Sequence, residues 1–292
     1  MSNETTITVT FIRHGESTDN IRSVWAGWAD APLSNHGMNQ ARAMGQSLAD
    51  THITTIYASP LKRAFSTAEA LRDAQSKRPE INVSPLIREQ HFGIAEGKPF
   101  TFHMAPGKTA EEYWAEGVYP VQRHRHAKFP GGESSDDLAG RANQAVEEII
   151  LPVVWETARS GEQGVHIALV SHGLCIGELV SALIRKTRLG EPTQSYEGLM
   201  NTAWTRAVIS VKGSTEGQPS QFSDQETPVL QVQITDVNRH EHIDGIKRQK
   251  GGIGSSAYDP NQQDIRAFFG GGGVKKPVEA HLTESNAEGG DE

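Results

Sequence analysis

Arg13-His14-Gly15-Glu16-Ser17 sets a permanent positive charge beside an imidazole at the point where a predicted strand stops. That strand is Ile7 to Ile12, in which Ile7, Val9 and Phe11 alternate with threonines. Two other predicted strands also end in titratable groups. Ile81 to Ile87 runs into Arg88-Glu89, and Val165 to Val170 runs into Ser171-His172-Gly173. Arg63 falls in the first turn of a predicted helix. Imidazole, carboxyl and guanidinium groups gathered in one place would bind an anion and move protons. Taken alone, each has a plainer explanation: Arg63 as a solvated arginine, His172 as a satisfied core histidine, Glu89 as a surface acid rivalled by His91 and Glu96. Glu16 reads as a loop-shaping residue.

The stretches between these residues alternate in period. Asn20 to Leu33 is a loop, and Ser34 is an N-cap for a helix through Asp50 with Met38, Ala41, Met44 and Leu48 on its apolar side. Ile53 to Ser59 is a second strand, stopped at Pro60, and a helix carrying Ala64, Phe65, Ala68 and Leu71 follows. From His91 to Gly132 the periodicity fades. Gly, Pro, His and aromatics gather there with the basic run Arg123-His124-Arg125-His126-Ala127-Lys128, which predicts an insertion over the sheet edge. Ser134 or Ser135 caps a helix lined by Leu138, Ala142, Ala145, Val146, Ile149, Ile150 and Val153, and Pro152 is expected to kink or end it. Val165 to Val170 is almost wholly apolar, as a central parallel strand requires, and an apolar helix through Ile184 follows. Thr202 to Val211 and Val229 to Val237 are two late strands. The alternation predicts an α/β fold with a mainly parallel sheet and helices on both faces. Ligands bind such sheets at the carboxyl ends of strands.

Composition narrows the function classes. A net charge of -8 argues against wholesale electrostatic binding of nucleic acid. No apolar stretch approaches the ~20 residues of a membrane span. Met1 to Thr6 lacks the basic and apolar regions of a secretory signal. Cys175 is the only cysteine, so a reducing compartment is expected, cytoplasmic or nuclear. A thiol-phosphatase reading of Cys175 fails because Ser181 stands where the arginine is needed; a buried, inert thiol is expected. His124-Arg125-His126 and His240-Glu241-His242 lack companion clusters at metal-site spacing, so neither is read as a metal site. Past Asp244 the composition shifts: residues 244–292 hold 10 of the 29 glycines and little apolar pattern. The expected organisation is a domain over 1–243, with the insertion at about 91–132, and a disordered glycine-rich tail over 244–292.

Six stretches, in order, resemble the histidine phosphatase (phosphoglycerate mutase-like) superfamily: Arg13-His14-Gly15-Glu16 with Asn20; Pro32-Leu33-Ser34 through Gly37 and Gln40-Ala41; Ser59-Pro60-Leu61-Lys62-Arg63-Ala64 with Thr67-Ala68; Glu89-Gln90-His91-Phe92-Gly93 with Glu96-Gly97; Pro130-Gly131-Gly132-Glu133-Ser134; and Val170-Ser171-His172-Gly173. The resemblance implies a three-layer α/β/α sandwich, no metal and no cofactor. It implies His14 as the nucleophile that becomes a phosphohistidine, and Arg13, Arg63 and His172 around the phosphoryl oxygens, with Asn20 at the pocket edge. Glu89 would protonate the leaving oxygen and then serve as base for water. The residue types suit this chemistry. Phosphoryl transfer leaves charge on three equatorial oxygens, which fixed guanidinium forks match, and a neutral imidazole offers a nucleophilic nitrogen near pH 7. The acid must hold its proton near neutral pH, which an apolar or acidic neighbourhood would favour. The tautomer of His14 should be set by a hydrogen bond whose acceptor the sequence does not name.

The chain reads Phe92-Gly93-Ile94-Ala95-Glu96-Gly97-Lys98 where the mutase branch typically has Tyr-Gly-x-Leu-x-Gly, which favours hydrolysis over phosphoglycerate mutase-type transfer. The substrate is a phosphorylated compound of open identity. The run from Arg123 to Lys128 could contact a second phosphate or be a solvated loop. A reading of another class comes from the tail, where Gln262-Gln263-Asp264-Ile265-Arg266-Ala267-Phe268-Phe269 resembles the PIP box that docks on the sliding clamp PCNA. There Gln262 would fill a polar pocket, with Ile265, Phe268 and Phe269 as an apolar plug. In that case the phosphatase fold would be partly or wholly a scaffold.

Overall fold

The computed structural model describes residues 4–187, 190–223 and 228–260. The threonine-spaced strand forms β1 (Thr6–Arg13), followed by the short helix α1 (Thr18–Arg22) and by α2 (Asn35–Ser47), which Ser34 caps by accepting from the Gly37 N–H at 2.9 Å. Next come β2 (Thr55–Ala58), α3 (Lys62–Ala74) and β3 (Ile81–Val83). The insertion carries β4 (Phe100–Thr101), α4 (Ala110–Ala115) and β5 (Tyr119–Pro120). Then follow α5 (Ser135–Ala145), α6 (Leu151–Ser160), β6 (His166–Ser171), α7 (Gly173–Arg185), β7 (Trp204–Val211) and β8 (Leu230–Arg239).

The main sheet has the order β3-β2-β6-β1-β7-β8; its first four strands run parallel, and β7 and β8 are antiparallel additions. Alternation splits its strands between two cores. Ile7, Val9, Phe11, Ile167 and Leu169 pack with the apolar residues of α5, α6 and α7. Ile12, Ala168 and Val170 pack with Met44 of α2 and with Ala64, Ala68 and Leu71 of α3. The result is the expected three-layer α/β/α arrangement. Each fully buried Ile, Val or Leu contributes roughly 1.5–3 kcal/mol, so β6, covered on both faces, has its register firmly fixed.

Three local expectations are corrected. The strand expected over Ile81 to Ile87 stops at Val83, because Pro85 has no N–H for the ladder; Ser84 instead caps a 3-10 turn, Pro85–Ile87. Glu89 therefore arrives from a turn rather than a strand end. The helix does not end at Pro152. A wider π turn at Val146–Ile150 accommodates the missing N–H and the ring, and the helix resumes as α6. Packing also continues past the Asp244 boundary to Tyr258, where the compact unit closes. Its last segment is held by backbone bonds, an ion pair and one aromatic, Tyr258, packed against Leu33, Met38 and Ala41, which together leave little apolar pattern. Asn35 N donates to Ser256 O at 2.9 Å, Tyr258 N to Leu33 O at 2.8 Å, and Arg248 forms a two-pronged pair with Glu16. The tail residues Gln262, Ile265, Phe268 and Phe269 lie outside the described residues.

The insertion has its own core of Phe92, Tyr119 and Phe129 with Trp25 and Trp114 packed against it. Trp25 comes from the loop after β1, and backbone bonds from Trp25 N to Lys98 O (3.0 Å) and Gly97 N to Trp25 O (2.8 Å) lash that loop to the insertion. Among the described residues no helix is long and apolar enough to cross a membrane.

Candidate active site

Because β1 and β6 are parallel neighbours, the residues just past their carboxyl ends are adjacent. His14 N donates to Ser171 O at 3.0 Å, and the His14 and His172 rings lie 5.0 Å apart. His14 is 3% exposed. Its Nδ1 lies 2.6 Å from the Gly15 carbonyl oxygen. A carbonyl only accepts, so Nδ1 carries the hydrogen, and in the neutral ring Nε2 keeps its lone pair. Burial, then the charges of Arg63 and Arg13, push the pKa of His14 well below the ordinary imidazole value. The ring is neutral at pH 7. This is the acceptor the sequence left unnamed.

The positive groups are buried with it. Arg63, 1% exposed in the first turn of α3, donates to the Gly27 carbonyl at 2.6 Å and the Ala29 carbonyl at 2.9 Å. Arg13 donates to the Leu199 carbonyl. His172 is fully buried, with Nε2 at 2.8 Å from Ser59 Oγ, and burial followed by Arg63 also holds its pKa well down. Arg13 Nε, Arg63 Nε and His172 Nδ1 are all buried without a hydrogen-bond partner. An orphaned buried donor costs about 1–3 kcal/mol. Two guanidinium donors and a ring nitrogen, itself a donor in the tautomer whose Nε2 accepts from Ser59 Oγ, mark a place that a multi-oxygen anion would complete.

Glu89 sits at the start of α7. Its Oε1 accepts from Gln90 N at 3.0 Å and Cys175 N at 3.2 Å, and its Oε2 from Leu174 N at 3.4 Å. Its charge acts on both Arg13 and Arg63, so it belongs to the same cluster. Asn20 is exposed at the third position of α1, with Oδ1 accepting from Ser17 N and Oγ at 3.0 and 3.1 Å. Glu16 shapes the loop, as expected: besides Arg248 it accepts from Ser34 Oγ at 2.7 Å. Glu96, a rival acid, is occupied by Trp28 N at 2.7 Å and Phe92 N at 3.2 Å. Cys175 is buried, and burial pushes its thiol up to about 12. In the late histidine run, His242 Nε2 bonds Thr202 Oγ1 and His240 Nδ1 bonds the Asn238 carbonyl, at 3.0 and 2.7 Å.

Three positioning residues, Arg141, Trp28 and Thr202, had no sequence signal. Arg141 of α5 donates to the carbonyls of Leu86, Arg88 and Glu89 at 2.8–2.9 Å and grips both oxygens of Glu133 at 2.9 and 2.8 Å. Trp28 Nε1 reaches the same Glu89 carbonyl at 2.7 Å, its ring lying between Arg88 and His91. Thr202 takes a left-handed φ of 59°, costly for a β-branched residue, and its N–H donates to the His14 carbonyl at 3.2 Å. Gly15 and Gly37 face each other so closely that a Cβ on Gly37 would fall 2.0 Å from Glu16 O. The amino end of α2 can press on the nucleophile loop only because both lack side chains.

The sequence model of the histidine phosphatase superfamily (branch 1) matches residues 9–215. The chain belongs to this superfamily. It is 28% identical over 265 residues to fructose-2,6-bisphosphatase TIGAR B of Danio rerio, covering 83% of this chain and 98% of that one. It is 31% identical over 217 residues to the glucosyl-3-phosphoglycerate phosphatase of Mycolicibacterium vanbaalenii, covering 73% and 88%. Among solved structures, a mycobacterial glucosyl-3-phosphoglycerate phosphatase complexed with VO3 superposes with a TM-score of 0.56 at 26% identity, over 79% of this chain and 99% of that one. Relatives named as phosphatases and as probable phosphoglycerate mutases both occur in the set.

Proposed function

We propose that the protein is a phosphatase that hydrolyses a phosphomonoester through a phosphohistidine on His14. The observation that carries this reading is the Nδ1–H bond to the Gly15 carbonyl, which leaves Nε2 as the free lone pair of a buried neutral ring. Nε2 attacks phosphorus, the bond from phosphorus to the ester oxygen breaks, and Glu89 gives its proton to that oxygen. Glu89 then takes a proton from water, whose oxygen attacks phosphorus and displaces Nε2, releasing inorganic phosphate. Arg13, Arg63 and His172 hold the three equatorial oxygens through both steps, and the three orphaned nitrogens gain partners only when those oxygens arrive. General acid help of this kind is worth ~10²–10⁴-fold. The absence of the mutase continuation after Gly93 and the relatives named as phosphatases support water over a sugar acid as the acceptor.

The test is phosphate release from a phosphomonoester panel in the presence of chelator, with a rapid quench to trap the intermediate. A phosphoenzyme stable to alkali and labile to acid is expected, and His14→Ala should remove it together with turnover. Turnover that survives in His14→Ala overturns the mechanism. Transfer to phosphoglycerate in preference to water overturns the hydrolytic reading.

A further inference from the structure

A cavity of about 400 Å³ opens between the insertion and the amino end of α7, a size that suits a small organic group. Gln90 and Leu174 line it. Those residues flank Glu89 and donate their backbone N–H groups to its two oxygens at 3.0 and 3.4 Å. Two residues that hold the Glu89 carboxylate thus form part of the wall of this cavity.

The walls are aromatic. Trp25, Phe92, Phe100, Phe102 and Phe129 line the cavity, with the Trp25 ring 4.4 Å from Phe92, 5.5 Å from Phe129 and 5.6 Å from Phe100. Phe102 stands edge-on to Phe100 at 5.3 Å and is 63% exposed. Phe102 thereby carries the aromatic wall out to the cavity rim, where a flat group entering the cavity would cover it.

The basic rim carries less charge than its sequence suggests. Arg125 is bound by Glu178 at 2.8 Å and Asp136 at 3.0 Å, and Lys128 by Asp137 at 2.9 Å. Arg123 alone of the three has no carboxylate partner among the described residues, and it donates to the Phe102 carbonyl at 3.2 Å. Glu133 and Glu197 also line the space. Glu133 is itself held by Arg141, so a second phosphate would meet one uncommitted cation, Arg123, and one carboxylate, Glu197, that no cation holds among the described residues.

Resting on the phosphatase reading, we infer that the preferred substrate is a phosphomonoester whose alcohol carries a flat, uncharged aromatic group, seated between Trp25 and Phe102. Sugar bisphosphates and phosphorylated sugar acids are disfavoured by the same walls.

The experiment compares kcat/KM for 1-naphthylmethyl phosphate with that for glycerol phosphate, two primary alkyl esters, and includes fructose bisphosphate and 3-phosphoglycerate. A preference of about tenfold or more for the aromatic ester is expected. Phe102→Ala, at an exposed site, should lower the naphthylmethyl-to-glycerol ratio by about tenfold, chiefly through KM, which is the loss of one aromatic contact and its buried area. Naphthylmethanol should inhibit competitively. Preference for a bisphosphate or phosphoglycerate, or an unchanged ratio in Phe102→Ala, overturns this inference while leaving the phosphatase reading intact. Phosphate release from none of the four overturns both.

Discussion

Arg141→Met tests how the acid is positioned. The arginine points all its donor groups at five oxygens: two of Glu133 and the carbonyls of Leu86, Arg88 and Glu89. Methionine keeps much of the stem and volume but none of the donors. Its side chain is 11% exposed and that of Glu133 20%, so water only partly repairs the loss. Breaking a buried pair costs about 3–5 kcal/mol. The residual exposure of Glu133 places the cost near the lower end, about 3 kcal/mol, or roughly 6–12 °C in Tm for a domain of this size. The catalytic effect is separable. The turn carrying Glu89 loses its carbonyl clamp, and a displacement of about 1 Å in a reacting group costs about 10²-fold. The assay pairs a thermal melt with the rate of phosphoenzyme formation at saturating substrate. The expected pattern is a lower kcat with KM little changed, and Arg141→Lys should recover part of the Tm and little of the rate because one ammonium cannot span five oxygens. A variant with wild-type kcat would refute the claim that this network places Glu89.

Three other outcomes follow from the same structure. His14 is unprotonated above a pKa held well below the ordinary 6.5 by burial and by Arg63 and Arg13, so the acid limb of kcat/KM assigned to the nucleophile should fall well below pH 6.5; a limb centred at that value is incompatible with a buried neutral ring. His166 is pushed down to about 4, first by burial and then by Arg206. A depressed folded pKa means its stability contribution is complete above 6.5 and is lost as pH falls toward 4, about 2.5 units or roughly 3 kcal/mol. Urea titrations at pH 7 and pH 4.5 of the wild type and His166→Gln should show the variant losing less on acidification. The proposal that Gln262, Ile265, Phe268 and Phe269 dock on the sliding clamp predicts that Phe268→Ala with Phe269→Ala in the full chain abolishes calorimetric binding to PCNA; unchanged affinity removes it without touching the phosphatase reading.

What was legible in the chain, and what was not, divides along a physical line. β1 could be read from the alternation of Ile7, Val9 and Phe11, and β6 from its continuous apolar run, because burial writes itself into side-chain type. His14 and His172 could be paired because both follow such strands. Arg141, Trp28 and Thr202 could not, because their partners are backbone carbonyls, which every residue carries alike. The segment after Asp244 is hidden in part for the same reason, being held by main-chain bonds to Leu33 and Asn35 and by the side chains of Arg248 and Tyr258, too few to make a pattern. The basic run from Arg123 to Lys128 stayed open between a phosphate contact and a solvated loop, since its carboxylate partners Asp136, Asp137 and Glu178 come from two other helices. The division has a chemical consequence. The groups that face phosphorus are charged and announce themselves by residue type, and all branches of the superfamily need them. The groups proposed to face the leaving alcohol are Trp25, Phe100 and Phe102, which line the cavity and in sequence look like any loop aromatics. On that proposal, specificity is written in residues whose meaning appears only once the insertion is folded and its aromatics gather around one cavity.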